Sequence, residues 1–186
     1  MPCPKTAEKR ALKLIEKLKG VYSVADCITT QTAAVLGGIT QYRAWQYLTR
    51  LAEAGYIDIY KIGKGPSVIN LYCLPGRKPG KIYLYDGIRA YIIRMSDVVN
   101  AVEKIVAGFA TYTGAIRIRR LKDMLNLPNT AVIGLLLTHM VASVLKDAVI
   151  RKEIRDTTGA YSIVLVVDRD KALKRIQEYR HGASSS

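Results

Sequence analysis

Apolar residues Ala7, Ala11, Leu14, Ile15 and Leu18 recur at the spacing of one helix side, with Lys9, Lys13, Glu16 and Lys17 on the other faces. An amphipathic helix is therefore expected over residues 6–19, stopped by Gly20. A short extended piece follows at 21–27. Thr29 and Thr30 offer an N-cap to a second helix at 31–36, which Gly37 and Gly38 end. Thr40 caps a third helix running to about Ala54, where Gly55 supplies a left-handed stop. β-Branched and aromatic runs at 56–60 and 68–73 read as two strands around the turn residues Gly63, Lys64, Gly65 and Pro66.

Residues 74–80 hold two prolines and two glycines and mark a boundary. Beyond it, two β-rich runs within 81–94 flank Asp86 and Gly87, a dipeptide that favours a two-residue hairpin turn. Ser96 and Asp97 then cap a helix with the stripe Val98, Val99, Val102, Ile105, Val106 and Phe109. Helices at 119–126 and from Pro128 to about 142, strands at 149–154 and 161–167, and a last helix at 168–180 complete the pattern. The tail, 181–186, is expected to be disordered. The element order of the first half thus recurs in the second, and the spacing of Ile39, Ala44, Leu48 and Leu51 is repeated by Leu127, Val132, Leu136 and His139.

The stretch TTQTAAVLGGITQYRAWQYLTRLAEAGYI, residues 29–57, continued by IDIYKIGKGPSVINLYCL, 57–74, resembles the winged helix-turn-helix superfamily, best known in prokaryotic and archaeal regulators. The resemblance covers about 70 residues and implies a three-helix core with a β-hairpin wing. It also implies that Ala33 or Ala34 allows close helix packing, that Ile39 plugs the core, and that Ala44, Leu48 and Leu51 face inward. The second half resembles the first in architecture only. The expected fold is α+β, with tandem winged-helix domains. Residues 1–75 form a DNA-reading domain, 76–95 a linker and hairpin, and 96–180 a winged-helix-like, dimerising domain.

Charge points to the same partner. Lys and Arg outnumber Asp and Glu by 29 to 15, and each side of Pro79 carries +7, so the excess is not confined to a tail. A field of this sign attracts polyanions, nucleic acid above all. Asn and Gln, four of each, are scarce enough to fit a thermophilic archaeal source. With Ala44, Leu48 and Leu51 buried, the third helix turns Tyr42, Gln46 and Thr49 outward, flanked by Arg43, Trp45 and Arg50. Gln41, Tyr42, Arg43, Trp45, Gln46 and Thr49 are the candidate base readers, because Arg suits guanine, Gln suits adenine and hydroxyls reach either. Trp45 either stacks beside the sugar-phosphate backbone or packs under the wing. Thr29, Thr30, Gln31, Arg50, Lys61 and Lys64 are candidate phosphate contacts.

In the second half the corresponding helix face is apolar. Thr130, Gly134 and Leu137, with Ile133 and Val141 beside them, suit packing and not base reading. Ile133, Gly134, Leu137 and Val141 are the expected interface of a homodimer. Arg117, Arg119, Arg120, Lys122, Arg151, Lys152 and Arg155 remain as phosphate neutralisers there.

Other chemistry is thinly represented. Cys3, Cys27 and Cys73 form neither a Cys-x-x-Cys pair nor a recognisable framework, and read as small apolar residues. His139 occupies a core position and His181 the tail, so neither has an acid–base partner. Asp86, Asp97, Asp156, Asp168 and Asp170 occur where capping explains them. Neither a catalytic centre, a metal site, a cofactor nor a small-molecule ligand is expected. No apolar run approaches a membrane span, and a cytoplasmic, nucleoid-associated location follows. The expected function is a homodimeric transcription regulator that reads double-stranded DNA. The alternatives are a replication, partition or chromatin protein, or a protein-interaction scaffold, whose third helix would turn an apolar or acidic face outward.

Overall fold

The computed structural model describes residues 6–63, 68–157 and 160–184. The chain is α+β and divides into two units, Met1–Met95 and Ser96–Ser186. The first unit runs α1 (Thr6–Tyr22), β1 (Cys27–Thr29), α2 (Thr30–Gly37), α3 (Gln41–Glu53), β2 (Asp58–Ile62), β3 (Ile69–Cys73), β4 (Lys81–Tyr85) and β5 (Ala90–Arg94). Its five strands are ordered β2-β3-β1-β4-β5, all antiparallel neighbours except β1 and β4, which are parallel. Leu14, Leu18, Ala33, Ala44, Leu48, Leu51, Ile57 and Tyr72 meet in its core.

Helix α1 continues through Gly20, where sequence places its end. Val21 and Tyr22 are buried on the next turn, and the Tyr22 hydroxyl donates to the Tyr72 carbonyl at 3.1 Å. Burial of two large side chains outweighs the roughly 1 kcal/mol that glycine costs inside a helix. Helix α2 does stop at its glycines: Gly38 takes φ +64° and its N–H returns to the last turn of the helix.

The reading of the cysteines as isolated apolar residues is corrected. Cys27 and Cys73, 46 residues apart, are directly opposed on β1 and β3 with Cα atoms 4.1 Å apart, and form a disulfide. Opposed positions on antiparallel strands bring side chains close enough for the bond, and that register is a property of the sheet, invisible in cysteine spacing. Such bonds persist in oxidising compartments and inside hyperthermophiles.

The segment read as a linker is also different. Strand β4 pairs with β1, so the β4–β5 hairpin belongs to the first sheet. Asp26 fastens its approach: the carboxylate accepts from the Lys81 amide at 2.8 Å and from the Arg77 guanidinium at 3.3 Å. The expected two-residue turn at Asp86 and Gly87 is a four-residue loop, with Tyr85 opposite Ala90. The Asp86 carboxylate accepts from the amides of Ile88 and Arg89, which holds it below the usual carboxylate range and makes an Asx turn instead.

The second unit repeats the order: α4 (Met95–Ala107, which begins on the last residue of the first unit), β6 (Thr113–Arg117), α5 (Ile118–Met124), α6 (Ala131–Leu145), a 3-10 turn (Lys146–Ala148), β7 (Val149–Thr157), β8 (Ala160–Asp168) and α7 (Arg169–Ser184). Its sheet is β6-β8-β7, matching β1-β3-β2 in the first unit. Phe109, assigned by spacing to the first helix here, lies beyond its end. The tail expected to be disordered is helical through Ser184. Arg180 makes a two-pronged contact to Glu103 on α4, at 2.6 and 3.0 Å, which docks the last turns of α7.

Capping fixes the register between the two third helices. Thr40 accepts from the Arg43 amide and Thr130 from the Ile133 amide, three residues on in each case. Ala44, Leu48 and Leu51 therefore correspond to Gly134, Thr138 and Val141, all buried. The register drawn from spacing was two residues off: Val132 is exposed and His139 half-buried.

Helix α6 packs against α5, α7 and β8. Ile133, Gly134, Leu137 and Val141 are buried within the chain, at 5% exposure or less for the three side chains larger than glycine. The dimer interface assigned to these four residues is corrected accordingly, since a surface already covered by the chain itself has no apolar area left to offer a second copy. Gly134 makes room for Lys122: a Cβ there would lie 3.2 Å from its Nζ. Lys122 is correspondingly buried, its amine donating to Asn129 Oδ1 at 2.6 Å and the Thr130 carbonyl at 3.3 Å. Desolvation pushes it below the usual lysine range, and it is removed from the candidate phosphate contacts. The 18 residues Ala131–Ala148 are apolar enough in composition to span a bilayer, contrary to the expectation of no such run, yet 56% of them are buried as a core helix.

Two outcomes follow. Reducing the disulfide, or replacing Cys27 and Cys73 by Ala, lowers the stability of the first unit by up to about 4 kcal/mol, the closure term for a loop of this length. Urea unfolding with and without reductant measures it. Leu137→Ala costs about 2 to 5 kcal/mol as a core truncation, read as loss of stability in the second unit; light scattering shows no change of mass.

Candidate nucleic-acid interface

The candidate site is built on α3. Thr40, extended at φ −68° and ψ 153°, caps the helix with its hydroxyl, satisfying one of the backbone donors that a helix start leaves without partners. Ala44, Leu48 and Leu51 fall within 60° of one another around the helix axis and are buried against α1, α2 and the strands. That attachment leaves the opposite arc free. Gln41, Tyr42, Arg43, Trp45 and Arg50 are exposed, while Gln46 and Thr49 are half-buried at its centre.

Six candidate readers thus share one helix, but they divide into two edges around Gln46 and Thr49. Tyr42 and Trp45 stand together on one side, ring centroids 5.9 Å apart and planes tilted by 31°. Trp45 is 43% exposed, so of its two readings the one beneath the wing is set aside. Arg43 lies on the other side with Tyr47, toward α1. A surface of amide, hydroxyl, guanidinium and aromatic groups, whose one acid, Glu53, stands at the last residue of the helix, can donate to base edges and phosphates and can stack.

The candidate phosphate contacts fare unequally. Thr29 is buried at the end of β1, accepts from the Thr32 amide at 3.2 Å, and shares a 3.0 Å hydrogen bond with the Thr32 hydroxyl. Its hydroxyl serves as the α2 cap, so Thr29 is withdrawn as a phosphate contact. Thr30 points toward Tyr72, donating to that hydroxyl at 3.5 Å. Gln31 is half-buried on the first turn of α2. Lys61 is exposed on β2 opposite Asn70, two residues from Gly63. Lys64 lies outside the described residues.

In the second unit Arg117, Arg119 and Arg120 are exposed and line one cleft with Asp123 and Phe109. Arg151 is paired with Glu153 at 2.6 Å, and Lys152 is exposed. No group of three or more His, Cys, Asp or Glu side chains gathers among the described residues. Sequence reasoning passed over the cationic side of α1, where Arg10, Lys13 and Lys17 face the Arg43 edge of α3. Their i, i+3, i+7 spacing was the available signal.

No family model matches the chain, and no curated protein matches it. Among solved structures it is similar to the crystal structure of hypothetical protein PyrSV_gp04 from Pyrobaculum spherical virus, with 17% identity over 86% of this chain and 97% of that one and a TM-score of 0.44.

Replacing Thr40 by Ala removes the α3 cap and lowers stability by about 1 kcal/mol. Denaturant midpoints measure this, and amide exchange accelerates first at Tyr42 and Arg43.

Proposed function

We propose that this chain is a double-stranded-DNA-binding protein of the winged-helix type, reading the major groove with α3 of its first unit and reaching an adjacent phosphate with Lys61 on the β2–β3 hairpin. The observation that carries the reading is the free arc of α3. It holds Tyr42, Arg43, Trp45, Gln46, Thr49 and Arg50, with Gln41 exposed on the first turn and an acid, Glu53, only at the last residue, on a helix whose inner edge is anchored. A helix of this diameter fits the major groove, where Arg and Gln discriminate bases in pairs of hydrogen bonds.

Further support comes from the order helix, strand, helix, helix, hairpin with the first strand beside the last, present in both units. The three helices and the hairpin in this order are what the winged-helix resemblance implies, the first strand being additional to it, and the proposal extends to a tandem of two such domains. Only the first would read bases, since its counterpart α6 is buried on nearly every side. Transcription regulation is the function we assign to this binding.

Affinity for duplex DNA is expected to fall steeply between low and moderate salt, as phosphate contacts release counterions. Fluorescence anisotropy over a salt series tests this, and a flat response defeats the proposal. Selection of bound sequences from random duplexes provides the site; Gln46→Ala then reduces discrimination by about 1 to 3 kcal/mol at one base position. Uniform weakening across all sequences would mean that Gln46 contacts backbone.

A further inference from the structure

Between α1 and the Arg43 edge of α3 lies a cleft of about 380 Å³, lined by Arg10, Lys13, Lys17, Arg43, Tyr47 and the apolar pair Leu14 and Ile39, with Gly37 at its margin. Four of these side chains are cations and none is an acid. Arg10, Lys13 and Lys17 are exposed, and among the described residues no carboxylate pairs with them or with Arg43. Lys17 is turned inward over the end of α2, its amine donating to the Gly37 carbonyl at 3.2 Å. The acid nearest in sequence, Glu16, is engaged elsewhere, 2.7 Å from Lys19. Like charges so placed repel one another, a cost that an anion between them would remove.

The second unit shows what this position looks like when nothing needs to enter. Counting from the capping threonines, Arg43 and Tyr47 correspond to Ile133 and Leu137, both buried. Helix α6 there packs against α7, an element with no counterpart in the first unit. The same flank is apolar and closed in one unit, cationic and open in the other.

We propose that this cleft binds the sugar-phosphate backbone of duplex DNA, through Arg10, Lys13 and Lys17 acting as a row with Arg43 at its inner end. The inference rests on the DNA-binding reading above and adds a second element, α1, to the contact surface. Residues 10 to 17 cover about 10 Å of helix rise, long enough to meet more than one of the phosphates that repeat along a strand. A lone anion would meet one or two of these cations. Leu14 and Ile39 between them suit the carbon edge of a deoxyribose, which a free inorganic anion does not have. Arg43 therefore bridges the row and the base-reading arc.

The test compares wild type with Arg10→Gln/Lys13→Gln and with Lys9→Gln/Lys19→Gln, which removes the same charge from α1 residues that do not line the cleft. All four positions are solvent-facing sites on α1 where Gln is well tolerated, and circular dichroism checks that each variant is folded. With duplex DNA over a salt series, the cleft variant is expected to lose about 1.8 from the slope of log K against log salt, two contacts at about 0.9 each. The control keeps the wild-type slope. An unchanged slope in the cleft variant, or an equal loss in the control, overturns the inference while leaving DNA binding intact. Absence of any duplex binding by wild type removes both. Inorganic pyrophosphate is titrated separately: binding that requires Arg10 and Lys13, with the DNA slope unaffected, would make the cleft a small-anion site and also overturn the inference.

Discussion

A strand of three residues holds the first unit together. Cys27, Ile28 and Thr29 are all buried, so every backbone donor and acceptor on both edges of β1 must find a partner within the protein. Strand β3 supplies one edge and β4 the other. Cys27 is bonded to β3, Ile28 enters the core, and Thr29 ends the strand by capping α2. The direction of α2, and through the Gly38 turn the start of α3, is set from this point. Displacing β1 would disturb the helix pair, the wing strands and the second hairpin together, since each touches it or an element it fixes.

Local signals in the sequence were enough for most elements. The threonine caps of α2 and α3, the glycine stops at 38 and 55, and the buried trio Ala44, Leu48 and Leu51 follow from propensity and 3.6-residue periodicity, which act over a few neighbours. What escaped was non-local. The Cys27–Cys73 bond depends on strand register, and membership of β4 in the first sheet depends on a parallel pairing across more than fifty residues. Gly134 is small for the sake of Lys122, twelve positions earlier in the chain. A helix that is apolar all round announces burial but not what buries it; for α6 the cover includes α7 of the same chain.

The candidate site divides along the same line. Exposed residues on one arc of α3 were legible because a helix wheel needs only the core positions. The Thr29 hydroxyl, given two roles by the sequence, keeps the local one of capping α2, whereas the partner of Thr30, Tyr72, is 42 residues away and known only once the fold is known. The flank of the third helix that holds Arg43 and Tyr47 in the first unit holds the buried Ile133 and Leu137 in the second. Whether a surface stays available is decided by what else the chain brings to it.

The disulfide encloses residues 27 to 73, which include α2, α3 and the hairpin. Covalently, this part of the chain is a ring with two arms. A single peptide bond cut anywhere inside it, at the wing or between the helices, opens the ring without releasing a fragment, so the reading helix stays tethered to both its neighbours after damage that would split a linear chain in two.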